Sequence, residues 1–182
     1  MRNLIVSEFL TVDGVMEDPQ WTFQYSSDEQ DQFKFAELKA ADALLLGRVT
    51  YEGFAAAWPN MLEQTGEYGE MMNGYAKHVV STTLTEAGWN NSSLIKNNLV
   101  EEITKLKEQP GRDILVFGSC TLVQSLISLG LVDEYRLMVF PVVLGKGKRL
   151  FGDGLEKQGF ELVQTKRFSS GVAVVCYRPA KN

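Results

Sequence analysis

Two apolar runs of this sequence end in small, polar, glycine-containing turns that lead directly into helical patterns. The first run extends over residues 41–52 and contains Gly47, Arg48, Val49 and Thr50. The second extends over residues 113–122 and ends in Gly118, Ser119, Cys120, Thr121 and Leu122. A buried strand that enters a helix through such a turn leaves backbone N–H groups pointing at one spot, which attracts phosphate. Two such turns predict a ligand with more than one phosphate, such as a dinucleotide.

Side chains beside these turns could add charge and hydroxyl groups to a phosphate site. Arg48 carries a fixed charge on a forked set of donors, and Thr50 either caps the next helix or donates its hydroxyl to a phosphate. Ser81, Thr82 and Thr83 follow another apolar run. Each segment alone is compatible with a simple strand-ending turn. Because ligands of open α/β sheets collect beyond the carboxyl ends of the strands, the turns together favour a nucleotide site. The G-x-G-x-x-G and P-loop patterns are both absent.

The sequence contains few cysteine and histidine residues that could take part in catalysis or metal binding. Cys120 and Cys176 are the only cysteines and His78 is the only histidine, which argues against a Cys/His zinc site and against any nucleophile–histidine pair that does not use His78. We predict no metal site. His78 lies in an apolar run and is interpreted as structural, and Cys120 as a small residue near a helix start. Aromatic residues in or beside loops, among them Trp21 and Trp58, either wall a pocket for a flat ring or cover the core edge.

Composition limits the class of protein. The 182 residues are 45% hydrophobic and 23% charged, which is typical of one globular domain over residues 1–182. The net charge of −5 argues against a nucleic-acid surface. We expect no signal peptide, because the first apolar run is short and contains Glu8. We also expect no membrane span, because no apolar run approaches the length of about 20 residues that a span needs. The cytoplasm is the default expected location.

The elements that must position these residues alternate along the chain and then become mainly strands. We predict strands at Leu4–Phe9, Leu44–Leu46, His78–Ser81, residues 113–117 and Glu134–Val143, and a terminal hairpin of Phe160–Phe168 with Val172–Arg178. We predict helices from Ser27 to Ala40, from about Tyr51 to before Pro59, after Asn98, and from the second turn to Gly130. Residues 60–75 are interpreted as a loop with one helical turn. This order predicts an α/β sheet, mostly parallel, with antiparallel strands at the C-terminal end.

Five motifs in this order resemble the dihydrofolate reductase-like superfamily, and within it the branch that contains the reductase domain of bacterial riboflavin biosynthesis. The resemblance covers nearly the whole chain. It rests on Thr11–Gly14, Asp42–Tyr51, Phe117–Ser119, Gly130–Glu134 and Pro141–Gly147.

This resemblance implies a three-layer α/β/α fold around an eight-stranded mixed sheet, NADPH as hydride donor and a homodimer. The segment Gly47–Thr50 would hold the adenosine 2′-phosphate and the pyrophosphate. Ser81–Thr83 would contact the adenosine end, and Gly118–Leu122 would wrap the pyrophosphate. The loop of residues 11–16, with Val15 and Met16, matches the loop that covers nicotinamide.

The resemblance also suggests groups for the reaction, which would reduce a small heterocycle or imine. Asp13 is the matched acid in the loop, and Asp31 with Phe35 matches a substrate-facing acid and aromatic residue. Trp21 and Trp58 are the further substrate candidates. The named activities of the family are 5-amino-6-(5-phosphoribosylamino)uracil reductase and dihydrofolate reductase. The first helix lacks the His and Arg of the riboflavin enzymes, so a phosphoribosyl substrate stays open. A protein that binds NADPH without turnover is the alternative.

Overall fold

The computed structural model describes residues 1–180, which form one eight-stranded sheet with helices on both faces. The strands lie in the spatial order β4-β3-β2-β5-β1-β6-β8-β7. In chain order the elements are β1 (Leu4–Thr11), α1 (Asp28–Ala40), β2 (Ala41–Gly47), α2 (Arg48–Ala57), α3 (Leu62–Gly74), β3 (Ala76–Val80), β4 (Ser92–Ile95), α4 (Leu99–Glu108), β5 (Asp113–Val116), α5 (Cys120–Ser128), β6 (Glu134–Phe140), β7 (Phe160–Arg167) and β8 (Ala173–Pro179).

Strand pairing confirms the predicted mixed, mostly parallel sheet. β1 to β6 pair in parallel, whereas β8 runs antiparallel to both β6 and β7. The antiparallel C-terminal hairpin is therefore present as predicted. The connections between parallel strands place helices on both faces, which explains the near-continuous apolar sequences of the central strands.

Each face of the sheet has its own core. On one face, apolar side chains of β1 and β5 pack against α4 and α5, with Ile103 and Leu126 fully buried. On the other face, β2 packs against α1, α2 and α3 through Leu38, Tyr51 and Met72. Burial of these apolar surfaces is the main force that holds the three layers together.

The structure corrects the sequence-based assignment of three elements. The segment of residues 60–75 is helical from Leu62 to Gly74, so its interpretation as a loop was wrong. Its periodicity is weak because Gly66 interrupts the helix with a non-helical backbone (φ 53°). α2 begins at Arg48, not near Tyr51, and its N-cap is Gly47. The sequence reading also missed the short strand β4.

Among residues 1–180, no helix has the length and apolar character needed to cross a membrane.

Candidate functional site

The structure brings the three polar turns together at one edge of the sheet. The backbone N–H of Gly47 donates to the carbonyl oxygen of Gly118 at 3.0 Å, which joins the turns after β2 and β5. Val80 is in register with Gly47, so Ser81 follows β3 at the same level. All three turns therefore lie at the carboxyl ends of neighbouring parallel strands, where ligands of open α/β sheets bind.

Two helices begin at this edge with free backbone donors. Gly47 is the N-cap of α2 and Ser119 is the N-cap of α5. In the described part of the chain, no side chain caps either helix, and the first turn of each contains no acidic residue. The first N–H groups of both helices therefore keep their positive partial charge for an anionic ligand.

Glycine is required where these turns touch. A Cβ atom on Gly47 would lie 2.3 Å from the Oγ and 2.9 Å from the backbone nitrogen of Ser119. Gly118 has φ +100°, and its Cβ would lie 2.8 Å from Oγ1 of Thr50. The two turns are in direct backbone contact, and any larger residue would separate the helix starts that make the anion site.

Exposed polar groups surround the two helix starts. Arg48 is exposed and forms an ion pair with Glu52 one turn along α2, with an N–O distance of 2.8 Å. Val49 is exposed next to Arg48 in the first turn of α2, and Thr121 is exposed in the first turn of α5. Because exposed ion pairs contribute little free energy, a phosphate could displace Glu52 from Arg48 at small cost.

Ser81 shapes its turn through its own hydroxyl group. The Ser81 Oγ accepts hydrogen bonds from the backbone N–H groups of Thr83 (3.2 Å) and Leu84 (3.1 Å). Ser81 is buried, whereas Thr82 and Thr83 are exposed at the same edge. Thr82 and Thr83 therefore present the hydroxyl groups that remain available to a ligand on this side.

Cys120 and Leu122 turn their side chains away from the edge. The Cys120 thiol donates to the carbonyl oxygen of Arg149 at 3.3 Å, and burial raises the pKa of this thiol. Leu122 is buried in the core beneath α5. Only the backbone of these two residues is in a position to contact a phosphate at the helix start.

Asp13 anchors its loop. Its carboxylate accepts hydrogen bonds from the Thr11 hydroxyl (2.6 Å) and from the backbone N–H groups of Leu144 (3.3 Å) and Gly145 (2.8 Å). These bonds, that of Thr11 first, lower the pKa of Asp13 to about 2. Asp13 is therefore an ionised acceptor that ties two loops together, and this geometry supplies no proton for a reaction.

Val15 and Met16 are buried in the same loop. Val15 is 1% exposed, and its side chain occupies the space that a Cβ on Gly147 would need, at 2.7 Å. Met16 packs in the core beside α5. A ligand at this edge would meet the backbone of the loop, while these two side chains fix its position.

The sheet forks beside these turns. β1 pairs with β5 only as far as Val6 and Val116, yet it remains paired with β6 up to Thr11. Residues 7–11 and 117–119 therefore lie on the two sides of the gap where these strands separate, and we call this gap the cleft. The connections leaving β1 and β5 run to opposite sides, which makes this fork a topological switch point, the usual binding crevice of such sheets.

A lysine lies at the base of the cleft on the α1 side. The Lys34 Nζ donates to the Ser7 Oγ at 2.6 Å and to the Glu37 Oε2 at 2.7 Å. It also lies 4.5 Å from the ring centroid of Phe117 and 5.4 Å from that of Phe9. The ammonium group, with a side chain only 13% exposed, is therefore held between the two walls of the fork.

A row of partly exposed aromatic rings extends from the fork. Phe117 packs against Phe54, Phe54 against Trp58, Trp58 against Tyr68, and Tyr68 against Phe35, with centroid distances of 5.5–6.5 Å. The structure thus brings Phe35 and Trp58 together as one wall. Such a wall is suited to stacking against a flat ring.

The other two substrate candidates lie apart from this wall. Trp21 packs edge-on against Phe140 at 5.4 Å, on the β6 side of Phe9. Asp31 is exposed on the first turns of α1. Burial, followed by the charges of Glu37 and Asp31, raises the pKa of Tyr68, so Asp31 lies near the aromatic wall without being enclosed by it.

Sequence reasoning did not select five polar residues of this region: Ser7, Glu8, Lys34, Glu37 and Tyr68. The only available signals were the acid inside the apolar run of β1 and the single lysine in the middle of α1. Their contacts join residues about 30 positions apart, and no local pattern encodes them. Among residues 1–180, no group of three His, Cys, Asp or Glu side chains could hold a metal ion.

Comparison with known proteins defines the class first. The chain superposes on dihydrofolate reductase from Enterococcus faecalis, described in complex with NADP(H), with a TM-score of 0.64 at 15% identity, covering 98% of this chain and 97% of that one. A protein from Shewanella sp. PV-4 named for riboflavin biosynthesis gives a TM-score of 0.80 at 22% identity, with 98% and 99% covered. The fold is therefore that of the dihydrofolate reductase-like reductases.

The family follows from the sequence. Residues 2–174 match the model of the RibD C-terminal domain, and the chain belongs to that family. The uncharacterized protein YyaP of Bacillus subtilis (strain 168) is 34% identical over 178 residues, which are 97% of this chain and 94% of YyaP. The predicted superfamily and branch are thus confirmed.

Proposed function

We propose that this protein is an NADPH-dependent reductase that transfers hydride to a C=N or C=O carbon of a small heterocycle or imine. The observation that carries the proposal is the contact of two uncapped helix starts, at Gly47 and Ser119, beside the fork of β1 and β5. A pyrophosphate fits the first feature, and a flat ring at the end of the same molecule fits the second.

Different residues of the chain would hold different parts of such a cofactor. Gly47, Gly118 and the N–H groups that follow them would hold the pyrophosphate, and Arg48 would contact an additional phosphate. Thr82 and Thr83 would contact the adenosine end. When bound, NADPH would supply the hydride, while the protein orients the reactants and excludes water.

The aromatic wall and Lys34 define the substrate side. Phe35, Trp58 and Tyr68 offer ring faces, and the Lys34 ammonium offers a proton for a hydrogen bond at the base of the cleft. We propose a flat substrate with an electronegative atom at its reducible bond, as in the pteridines and aminopyrimidines that the family resemblance suggests.

Discrimination between the two nicotinamide dinucleotides tests this function. We expect NADPH to raise the melting temperature of the protein far more than NADH, because only NADPH has a phosphate for Arg48 to contact. Arg48→Ala should remove the difference, while Arg167→Ala, which changes an exposed arginine on β7, should keep it. Thermal unfolding at matched nucleotide concentrations measures both effects. Equal shifts from the two nucleotides in the wild-type protein would refute the role of Arg48.

A binding protein without turnover is the second candidate. It is favoured by the placement of the two acids selected from sequence, since Asp13 is ionised and bonded and Asp31 is exposed. NADPH oxidation in the presence of a panel of pteridines and aminopyrimidine ribosyl compounds separates the two candidates. Tight NADPH binding without oxidation of NADPH by any member of the panel would favour the binding protein.

We further propose that the protein forms a homodimer through β7. All of β7 except Phe160 is exposed at the edge of the sheet, including Leu162 (60%) and Val163 (45%). Antiparallel pairing of two β7 strands about the centre of the strand would place Glu161 opposite Lys166 of a second copy. An exposed edge strand with two apolar residues and such charge complementarity is suited to self-pairing.

Replacing Leu162 tests the dimer. Leu162→Glu should convert a dimer of the wild-type protein to a monomer in light scattering coupled to size-exclusion chromatography, because it replaces an apolar side chain of the proposed interface with a charged one. Val100→Glu, at an exposed apolar residue of α4 (48%), should leave the mass unchanged. A wild-type protein that is monomeric at high concentration contradicts the proposal.

A further inference from the structure

Glu8 is a buried acid with an unexplained oxygen. Its residue is 7% exposed, and its Oε1 atom has no hydrogen-bond partner within residues 1–180. Leaving a buried polar atom unpaired costs about 1–3 kcal/mol, so such an atom in a native fold calls for an explanation. Most buried carboxylates avoid this cost by pairing with a cation or an N–H group.

The Glu8 Oε1 lies between the proposed pyrophosphate site and the cleft at the fork. Glu8 belongs to the part of β1 that has separated from β5, and its Oε1 is 3.9 Å from the position of a Cβ on Gly118. The Gly118 carbonyl oxygen accepts the hydrogen bond from the Gly47 N–H, and a Cβ on Gly118 would lie 2.8 Å from the Thr50 Oγ1. Glu8 therefore lies between the turn that contains Gly118 and the cleft.

Three titratable groups interact electrostatically with Glu8. Lys34 and Glu37 do so from α1, and Cys120 does so from α5. Burial is the largest influence and raises the pKa of Glu8, Lys34 lowers it, and Glu37 raises it, which brings the value to about 8. Lys34 is already bonded to Glu37 and Ser7, so Glu8 retains its proton at neutral pH.

We propose that Glu8 is the acid that donates the proton in this reduction, an inference that rests on the proposed function. As hydride reaches the carbon of the C=N or C=O bond, the π electron pair moves to the nitrogen or oxygen. That atom takes the proton of Glu8 as the Oε1–H bond breaks, which yields the amine or alcohol. The Glu8 carboxylate then regains a proton from solvent.

Asp13 and Asp31 do not compete for this role. Asp13 has no proton to give at neutral pH and Asp31 faces solvent, whereas Glu8 combines a bound proton with a place at the fork.

Infrared spectroscopy tests the proton directly. We expect the wild-type protein at neutral pH to show the carbonyl band of a protonated carboxyl group, and NADPH to shift that band. The band should be absent in Glu8→Gln and retained in Glu102→Gln, which changes a partly exposed glutamate of α4. A wild-type spectrum without the band, or with a band that NADPH leaves unchanged, overturns the proposal.

Kinetics supply the second readout with any acceptor found in the panel. Glu8→Gln should bind NADPH with unchanged affinity but lower kcat by about 10²–10⁴-fold, the usual contribution of general acid catalysis. The wild-type rate should fall above about pH 8, as Glu8 ionises. Full activity of Glu8→Gln would overturn only the role proposed for Glu8. Absence of NADPH binding to the wild-type protein would instead overturn the proposed function itself.

Discussion

At about pH 9 the Glu8→Gln variant should be more stable than the wild-type protein by on the order of 4 kcal/mol, whereas at about pH 5 the two should differ little. Glu8 has an ordinary pKa of 4.5 when unfolded and about 8 when folded. Between these values the unfolded chain loses the proton and the folded protein keeps it, so the free energy of unfolding falls as pH rises. Glutamine stays neutral and does not suffer this loss.

The comparison of variant with wild type isolates Glu8 from other titrating groups. Burial lowers the pKa of His78 and lowers that of Lys77 to about 8, so both groups favour folding as pH rises. Their contributions are present in both proteins and cancel in the difference. Urea denaturation at a series of pH values measures this difference in the free energy of unfolding, with Glu102→Gln as control. A difference that stays constant with pH would show that Glu8 is not a buried neutral acid.

Gly47→Ala should lower the free energy of unfolding by about 2–3 kcal/mol and sharply weaken NADPH binding. The added methyl group would lie 2.3 Å from the Ser119 Oγ and 2.9 Å from the Ser119 backbone nitrogen. The side chain could rotate away, but the backbone atom could not, so the turns after β2 and β5 would be forced apart. The separation would also move the two helix starts that hold the pyrophosphate in our proposal.

Gly53→Ala is the matched control, because Gly53 lies in the same helix with nothing within 4 Å of its Cβ position. It should raise the free energy of unfolding by about 0.5–1 kcal/mol through the higher helix propensity of alanine, without changing NADPH affinity. Denaturant unfolding and NADPH fluorescence titrations measure the two effects. Similar stabilities for the two variants would mean that the turns do not pack as described.

Local sequence was sufficient for several elements of this protein. The Ser27 side chain accepts a hydrogen bond from the Gln30 backbone N–H, as the predicted helix start requires. The apolar runs of β2 and β5, with their glycine turns, were recognised from residues adjacent in the chain. Strands, helix caps and turns could be predicted because the interactions that form them span only a few residues.

Other features depended on contacts that no local window contains. α3 escaped prediction because Gly66 breaks its periodicity, and packing of Met72 against β2 supports the helix in its place. The fork of the sheet exists because β5 ends at Val116 while β1 continues along β6. Such pairings are set by the burial of whole faces and not by local propensity.

The sequence alone thus determined the mixed α/β class, the order of most of its elements and the glycine-containing turns at the carboxyl ends of the strands. Tertiary structure decided which side chains meet at those turns. It gave Asp13 three hydrogen bonds and left the Glu8 Oε1 without one, although both are acids near the end of β1. The physical reason is that the charge of a carboxyl group depends on its burial and its partners, and these come from segments distant in the chain.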